Sequence, residues 1–495
     1  MTKIIIIGGG LAGLSAGCYL QINGFDTEIF EMHDKPGGLC TSWSRKDFTF
    51  DGCIHFLFGS NAPNQFFDLW QEIVDLKALD IVDFDEYSRI VKGDKSLSLY
   101  SDPDKLRDAM LAIAPEDKAV IVEFTQAVRD YCDLYVPIEI APELIGMKVG
   151  MKLLPKIKPF MKFNKVWNIS TEEFVNRFTN PFLRATLADS FEGGYMSLIS
   201  IITSLSMMST RTAGYPIGGS LKFAKKIEES YLKLGGKINY KQEVKKILVE
   251  KDKAVGILLE SGEKHKADLV ISAADGHTTI FDMLDGKFVN KKIKNYYKDL
   301  DLFRSIVQVS LGINRTFDSH HHKYSLFLDE PIIIEGNNSV ERLEVLVYSF
   351  DPTLAPQGKT SVVAAIETHN DEYWTNLRNS DRDKYRAEKD RISKEVIARL
   401  DAFFGDIKSN VEVVDVATPA TYIRYTNNWK GRYMGFALTP KGLTTRMKKT
   451  LPGLKNFYMI GQWVQVGGGL PTGLMSGRNV TQVICKNDKR EFKTS

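Results

Sequence analysis

The sequence predicts an α/β protein in which a domain built on a parallel sheet is interrupted by segments of a second, α+β domain. Three observations support this fold class. A strand-like run and a glycine-rich turn open the chain, a second such pair lies near its end, and helical and strand-like stretches lie between them. With 495 residues, the chain is too long for one ordinary core, which favours two domains.

The first strand is predicted at residues 4–7, four isoleucines without polar alternation, as is typical of a buried strand. The turn Gly8-x-Gly10-x-x-Gly13 follows and opens a helix predicted over residues 11–23. Gly8 permits the tight turn, Gly10 lets a pyrophosphate approach bare backbone, and Gly13 lets helix and strand pack closely. The first turn of the helix presents free N–H groups to the phosphates.

The second strand is predicted at residues 27–30, with Glu31 at its end. A carboxylate at that position accepts hydrogen bonds from a ribose diol. Strand, glycines, helix, strand and acid in this order predict a Rossmann-like dinucleotide-binding domain. The pair Gly37 and Gly38 follows and permits close approach of backbone to a ligand.

Composition argues against several classes of protein. The chain is 43% hydrophobic and 26% charged, as in folded globular proteins. Its net charge of +3 gives no reason to expect a nucleic-acid partner. Five scattered cysteines without a CxxC pair indicate a reducing compartment and no zinc site. Because a strand is predicted at the very start and no run of about 18 apolar residues occurs, we expect a cytoplasmic protein without a signal peptide or membrane span.

A basic, apolar stretch spans residues 147–166. It contains six lysines and no acidic residue, and several of the lysines are four residues apart. Pro155 and Pro159 predict that it folds as two short pieces. One interpretation is a segment in a membrane interface, which would make peripheral membrane contact. The other is a helical hairpin packed on the domain with solvated lysines.

The rest of the chain is predicted to alternate between the two domains. A helix at 221–234 and strands at 244–249, 254–259 and 267–272 predict a return to the first domain, after a helix at 197–208 that suits core or pocket lining. Strands at 305–313, 343–350 and 361–368 and a helix at 381–404 predict a second excursion. The dinucleotide-binding domain is therefore predicted at 1–75, 215–285 and 413–495, a helical substrate- and membrane-facing part at 76–214, and a substrate domain with an antiparallel sheet at 286–412.

Three consecutive histidines, His320, His321 and His322, invite a metal interpretation. Consecutive side chains do not easily converge on one ion, and no carboxylate or cysteine has ligand spacing to them. We therefore expect an exposed loop there and no metal site.

Near the C-terminus, an apolar run at 456–460 leads into Gly461 and a glycine-rich loop that opens the last helix. This order predicts a second helix N-terminus facing the ligand of the first. The alternative is that these glycines serve only a crowded helix packing. A ligand held from both ends of the chain is large, and the sequence has no second strand–GxGxxG–helix unit for a separate nicotinamide domain.

Together these motifs resemble those of the phytoene desaturase and carotenoid isomerase family, within a group that includes retinol saturase and the amine-oxidase-like flavoproteins. The matching stretches are residues 8–13, 31, 35–38, 215–219, 270–275, 418–425, 433–436 and 461–478. The resemblance implies FAD, a two-domain fold, a long apolar polyene or isoprenoid substrate, and peripheral association with membranes. The chain departs from the family at Lys35, which replaces an arginine and its bidentate fork, and at Gln462, which replaces an acid found in many relatives.

The resemblance also implies which residues hold FAD. The ADP half is expected at the first glycine turn and Glu31, the pyrophosphate and ribityl chain along Lys35 and the glycine pair, the adenine at Val244, and the flavin ring at the C-terminal loop. The expected set is Gly8, Gly10, Leu11, Ala12, Gly13, Glu31, Lys35, Gly37, Gly38, Leu39, Val244, Gly461, Gln462, Gly469, Leu470 and Gly473.

The flavin would carry the chemistry, and the sequence leaves desaturation, saturation and cis–trans isomerisation open. His55, Trp463 and Arg424 are candidates for groups near the ring or the substrate mouth. His55 could move a proton, or could be a hydrogen-bonded core histidine, and Trp463 could form an aromatic wall. The alternative functions are a flavin amine oxidase and a non-catalytic lipid- or prenyl-binding escort protein. The residues do not identify an external electron acceptor or donor.

Overall fold

The structure, a computed structural model, describes residues 2–191, 193–317 and 320–495. Its strands are β1 (Lys3–Ile7), β2 (Asp26–Glu31), β3 (Ser42–Arg45), β4 (Phe48–Asp51), β5 (Leu57–Phe58), β6 (Ile81–Val82), β7 (Glu86–Lys92), β8 (Lys95–Tyr100), β9 (Ala213–Pro216), β10 (Lys237–Tyr240), β11 (Val244–Glu250), β12 (Lys253–Leu259), β13 (Lys264–Lys266), β14 (Leu269–Ser272), β15 (Ser305–Ile313), β16 (Lys323–Ile334), β17 (Asn338–Val347), β18 (Thr360–Thr368), β19 (Val411–Ala417) and β20 (Phe457–Met459).

The helices follow in the same order along the chain. They are α1 (Leu11–Ile22), α2 (Gln65–Gln71), α3 (Pro103–Ile113), α4 (Lys118–Cys132), α5 (Met147–Trp167), α6 (Thr171–Val175), α7 (Pro181–Ser190), α8 (Leu198–Ser209), α9 (Gly219–Lys233), α10 (Lys291–Asp299), α11 (Asp371–Ser380), α12 (Arg382–Phe404), α13 (Pro419–Thr426), α14 (Pro440–Thr444) and α15 (Gly469–Asn487), with a π-helical turn at Thr278–Met283.

A parallel sheet positions the first glycine turn. Its strand order is β10-β2-β1-β14-β20, and every pairing within it is parallel. The isoleucines of the central strand β1 are at most 3% exposed, because both faces of the sheet are covered. Helices α9 and α15 pack against α1, beside this sheet.

A second, mixed sheet has the order β19-β15-β18-β17-β16-β7-β8 in the part of the chain that is described. Strands β15 and β18 were predicted closely, whereas β7, β8 and β16 were not predicted. Strand β7 pairs in parallel with β16, more than 200 residues away, so its partner could not be inferred locally. The domain boundaries remain a prediction.

Three larger hydrophobic cores accompany the sheets. The largest joins Ile6 of β1 and Tyr19 of α1 to Phe124 of α4 and Leu205 of α8. A second fills the space between the second sheet and helices α11 and α12. The third packs Ile5 of β1 with residues of β11 and β12. The cavity described below lies where the two sheets and the helical layer meet.

The lysine-rich stretch forms one helix, α5, so the predicted break into two pieces is wrong. Pro155 and Pro159 both lie inside it. Each proline removes the amide partner of the carbonyl four residues earlier, at 151 and 155. Both of those residues are exposed, so water can satisfy the carbonyls. Among the described helices, none is long and apolar enough to cross a bilayer.

The three histidines do not form an exposed loop, so that prediction is wrong too. All three are half-buried. His322 stacks on Phe84 with ring centroids 3.7 Å apart, and His320 packs against Phe317. Pairing of β16 with β7 draws the histidines onto the segment that precedes β7.

Candidate active site

A cavity of about 1150 Å³ reaches from the first glycine turn to helices α4, α5 and α8. Its wall includes backbone from both glycine-rich motifs, a face of the second sheet and the side chains of these helices. Ordinary small-molecule pockets measure about 300–1,000 Å³. The cavity therefore has room for a large cofactor and a second ligand.

The dinucleotide end of the cavity is built mainly of backbone. Gly8 has φ of +97°, a conformation that favours glycine. The amide of Gly37 donates to the Gly9 carbonyl at 2.9 Å, which ties the two N-terminal glycine motifs together. A Cβ at Gly38 would stand 3.3 Å from the Cα of Gly10. The close approach leaves an uncovered backbone surface, which is what a pyrophosphate needs.

Glu31 lies at the end of β2, facing the cavity. Its carboxylate accepts hydrogen bonds from the amides of Gly9 at 2.6 Å and His33 at 2.8 Å. The side chain is 6% exposed, and burial raises its pKa even though these amides favour the charged form. A carboxylate held in this way beside the glycine turn is placed to accept from a sugar hydroxyl.

Some of the C-terminal glycines lie at the cavity, as a ligand-binding role predicts, and others serve close helix packing, the alternative role. Gly461 has φ of +92° and lines the cavity. Gly473 also lines it, and a Cβ there would stand 3.1 Å from the Cβ of Leu11. At Gly477, an added Cβ would lie 2.5 Å from the Ala16 amide, so this glycine serves the close packing of α15 on α1.

Most residues of the predicted cofactor set line the cavity, and their contact with a cofactor remains a prediction. The lining members are Gly8, Gly10, Leu11, Ala12, Glu31, Gly37, Gly38, Leu39, Val244, Gly461, Gln462, Gly469, Leu470 and Gly473. Gly13 and Lys35 are not among the lining residues. A Cβ at Gly13 would overlap the Gly8 carbonyl oxygen, as its packing role predicts, and the Lys35 ammonium donates to the Ser42 carbonyl at 3.0 Å.

Two of the three catalytic candidates face the cavity. Trp463 is 2% exposed, and its indole N–H donates to Asn428 Oδ1 at 3.0 Å. It packs edge-on against Phe436, so its ring is fixed as part of the wall. His55 also lines the cavity. Arg424 does not: it is exposed, with its guanidinium over the ring of Tyr425.

His55 lies beside a buried ion pair. Its Nδ1 is 3.8 Å from Glu344 Oε1, and Lys323 Nζ is 3.2 Å from Glu344 Oε2. Burial and the Lys323 charge lower the pKa of His55 to about 4, against the opposing effect of Glu344. The imidazole is therefore neutral at pH 7 and retains one donor and one acceptor.

Asp275, to which the sequence analysis gave no role, follows β14 and lines the cavity. It accepts from the amides of Thr278 at 2.8 Å and Trp429 at 2.9 Å. Burial raises its pKa to about 6, against these hydrogen bonds. The signal that could have found it is its position: an acid just past the carboxyl end of a parallel strand that neighbours β1.

The apolar end of the cavity lies among the helices. Its wall includes Tyr131 of α4, Phe160 of α5, and Ile199 and Met207 of α8. The stretch at 197–208 was predicted as core or pocket lining, and it contributes to both.

Comparison with known proteins identifies the family. Residues 11–485 match the family of flavin containing amine oxidoreductases. This chain belongs to that family. The 4,4'-diapophytoene desaturase (4,4'-diapolycopene-forming) of Methylomonas sp. is 24% identical, over 99% of this chain and 96% of its own. Prolycopene isomerase 2, chloroplastic, of an Oncidium hybrid cultivar is 25% identical, over 96% of this chain and 82% of its own.

A solved structure supports the fold class of this flavoprotein. An oxidoreductase from Methanosarcina mazei superposes with a TM-score of 0.63 at 18% identity, covering 97% of this chain and all of its own. At this identity the likeness concerns the fold. It confirms the predicted α/β class, as the family match confirms the predicted resemblance.

The cofactor of the flavoprotein is FAD, and the cavity fits it. The glycine turn offers bare backbone at an N-terminal helix end, Glu31 supplies a carboxylate acceptor, and Gly461 brings a second bare segment to the same cavity. Gln462, the departure noted above, lines the cavity and can hydrogen-bond a hydroxyl. Lys35, the other departure, is directed to backbone of its own segment.

Proposed function

We propose that this flavoprotein is an oxidoreductase that acts on carbon–carbon bonds of a long apolar polyene or isoprenoid. The reaction is a desaturation, a saturation or a cis–trans isomerisation. One observation carries the proposal: a single cavity continues from the dinucleotide cradle into an apolar chamber walled by α4, α5 and α8. The names of the relatives, a diapophytoene desaturase and a prolycopene isomerase, support a polyene.

FAD, when bound, supplies the acceptor or donor of a hydride equivalent. The chain supplies position and exclusion of water. Trp463 and the apolar side chains of α4 and α8 keep water from the reacting carbons. His55 is the neutral group in the wall that can take or return a proton.

Amine oxidation is the function to exclude first, because the family as a whole is named for it. The test is anaerobic mixing of the purified yellow protein with a polyene series and with primary amines, following the visible flavin absorbance. If the reaction is a desaturation, we expect a more saturated polyene to bleach the oxidised flavin. If the reaction is an isomerisation, we expect an isomerised polyene to form once the flavin has been reduced.

Two outcomes would overturn the proposal. Bleaching by amines alone would make the protein an amine oxidase. A purified protein that is colourless and does not take up FAD would favour a non-catalytic lipid-binding role. Analysis of the lipid or pigment that co-purifies identifies the carbon skeleton independently of turnover.

We also propose that helix α5 makes peripheral contact with a membrane. Its exposed apolar residues include Met147, at 82% exposure, Met151 and Met161, and six lysines alternate with them. Its inner side contributes Phe160 and Asn164 to the cavity wall. An apolar substrate could therefore pass from a lipid surface into the cavity along this helix.

The test is partition onto anionic vesicles, with phosphatidylserine and phosphatidylcholine in equal parts. Each lysine near such a surface contributes about 1 kcal/mol, so replacing Lys148, Lys152, Lys156 and Lys162 by Gln should weaken binding by at least about 100-fold. The matched control replaces four exposed lysines of α10, Lys291, Lys292, Lys294 and Lys298, by Gln. Equal loss in both variants, or no loss in the α5 variant, would refute the membrane contact.

A further inference from the structure

The second sheet turns a partly charged face toward the cavity. Gln308 of β15, Ala365 of β18 and Glu344 of β17 lie in one row across three strands, and all of them line the cavity. Glu367 lies in the neighbouring row, opposite Ile306. Charged groups in the wall disfavour binding of a pure hydrocarbon, because the hydrocarbon would displace their water and give no hydrogen bonds in return.

The carboxylate of Glu344 is held by a cation behind it. Lys323 of β16 is 4% exposed, and its ammonium lies 3.2 Å from Glu344 Oε2 and 4.7 Å from the ring centroid of Tyr87. Burial raises the pKa of Glu344, but the charges of Lys323 and Arg342, joined at low pH by that of protonated His55, outweigh it and bring the pKa to about 2. Glu344 is therefore an anion, with Oε1 on the side of His55.

Glu367, the other carboxylate on this face, is already paired twice. It forms ion pairs with Arg342, at 3.2 Å, and with Arg304. Its acceptor capacity is directed to these guanidinium groups. The pair of His55 and Glu344 retains spare hydrogen-bonding capacity in this wall.

The imidazole of His55 has unused hydrogen-bonding capacity. Its Nδ1 is 3.8 Å from Glu344 Oε1, which is too long for a hydrogen bond. Among the described residues, none forms a hydrogen bond with either ring nitrogen. Two atoms 3.8 Å apart can each lie about 2.8 Å from a single oxygen atom placed between them on the cavity side.

We propose that His55 and Glu344 together bind a hydroxyl group of the substrate, so that this flavoprotein takes a hydroxylated polyene or isoprenoid in preference to the hydrocarbon. The hydroxyl donates to Glu344 Oε1 and accepts from the imidazole N–H. A substrate with a carboxylate at this position would be repelled by the anionic Glu344. A hydrocarbon would displace water from His55 and Glu344 without replacing the hydrogen bonds that water makes to them. This inference rests on the proposed function and specifies its substrate.

The experiment measures equilibrium binding to the purified holoprotein, by quenching of tryptophan fluorescence, for three ligands with one polyene skeleton. The ligands are the alcohol, its methyl ether and the hydrocarbon. We expect the alcohol to bind at least about 10-fold more tightly than the hydrocarbon, because a hydrogen bond to a charged group is at stake. The ether should bind like the hydrocarbon, since it cannot donate to Glu344.

Variants locate the preference. His55→Phe and Glu344→Gln should each reduce the ratio of alcohol affinity to hydrocarbon affinity toward one. The affinity for the hydrocarbon should equal or exceed that of the wild type. The matched control is Glu412→Gln, which removes one charge from the Lys359–Glu412 pair, at 2.6 Å, outside the cavity wall. It should keep the wild-type ratio. Retained flavin absorbance shows that each variant is folded.

Several results would overturn the inference. Equal affinity of the wild type for alcohol and hydrocarbon would refute the hydroxyl site and leave the proposed function standing. Preference that persists in both variants would place the hydroxyl elsewhere. If neither polyene binds, the proposed function and this inference fail together. The wild-type comparison of alcohol and ether decides the question even if a variant does not fold.

Discussion

The dinucleotide end of the cavity and the wall formed by the second sheet are built by different means. The dinucleotide end is a cradle of bare backbone, in which the segments of Gly8 and Gly37 touch without side chains between them. The wall formed by the second sheet, called the floor below, presents side chains: Glu344 and His55 line the cavity, Lys323 lies behind Glu344, and the three come from separate segments. We therefore expect an added carbon atom in the cradle to lower the stability of the protein. In the floor, we expect the loss of one partner of a charge pair to lower it.

The largest effect is expected on the floor. Lys323→Met leaves Glu344 buried without its nearest cation, and breaking a buried ion pair costs about 3–5 kcal/mol. Urea unfolding at pH 7 measures the loss. The double variant Lys323→Met/Glu344→Leu should recover most of it, since removing both charges is close to neutral. A single variant as stable as the wild type would show that the pair is not coupled.

A slightly smaller effect is expected in the cradle. In Gly13→Ala, the new Cβ overlaps the Gly8 carbonyl oxygen, and we expect a loss of about 3 kcal/mol in the free energy of unfolding. Thermal unfolding of the holoprotein measures it. The control is Gly150→Ala in α5, another helical glycine, where the nearest atom would be 3.9 Å away. That change should stabilise by up to about 1 kcal/mol, and equal effects at both sites would contradict the close packing.

The pH dependence of stability tests the floor again. The folded pKa of His55 is about 4, below its ordinary value of 6.5, so the unfolded chain takes up this proton first as pH falls. The stability linked to His55 is therefore full above pH 6.5 and is lost as pH falls toward 4. Between pH 7 and 4.5 we expect the wild type to lose about 2 kcal/mol more than His55→Phe does. Parallel profiles of the two proteins would mean that His55 does not titrate with a lowered pKa.

The smallest effect concerns Glu31, the carboxylate held by the Gly9 amide in the cradle. Glu31→Gln keeps an acceptor for the Gly9 amide but removes the charge, and we expect FAD to bind about tenfold more weakly. Equilibrium dialysis followed by flavin absorbance measures the change. The control is Glu28→Gln on the same strand, where the carboxylate pairs with Lys3 at 3.3 Å and does not line the cavity. If both changes act alike, the ribose role predicted for Glu31 is wrong.

The same contrast explains what could be predicted from the sequence. The cradle is local: strand, turn, helix and acid follow within 31 residues, and their order is itself the signal. The floor is not local, since Glu344 and Lys323 meet through the pairing of β16 with β17, and β16 was not predicted. The available signal was Glu344, a charged residue within the apolar C-terminal half of β17, Leu343–Val347.

Other misjudgements have physical causes as well. The two prolines do not interrupt α5, because the residues whose carbonyls lose an amide partner are exposed and water can satisfy those carbonyls. Strands β7 and β8 form a hairpin in which β7 lacks a clean alternation of polar and apolar residues, and β7 also pairs with β16, a distant parallel neighbour. Arg424, a candidate for the ring or the substrate mouth, is exposed on α13 with its guanidinium over the ring of Tyr425, and its role stays a prediction.

The strand order of the parallel sheet has a consequence for how the chain folds during synthesis. The β2 partner of β1 is synthesised almost immediately after it. The other partner of β1, β14, begins only at Leu269, and the second partner of β14, β20, begins only at Phe457. At about 5–20 residues per second, a ribosome leaves one edge of β1 unpaired for many seconds. The isoleucine strand is thus an unpaired sheet edge on the nascent chain until β14 emerges, and β14 is then the open edge until β20 emerges. Such edges favour pairing with other chains, so this topology lengthens the period in which the nascent chain is prone to aggregation.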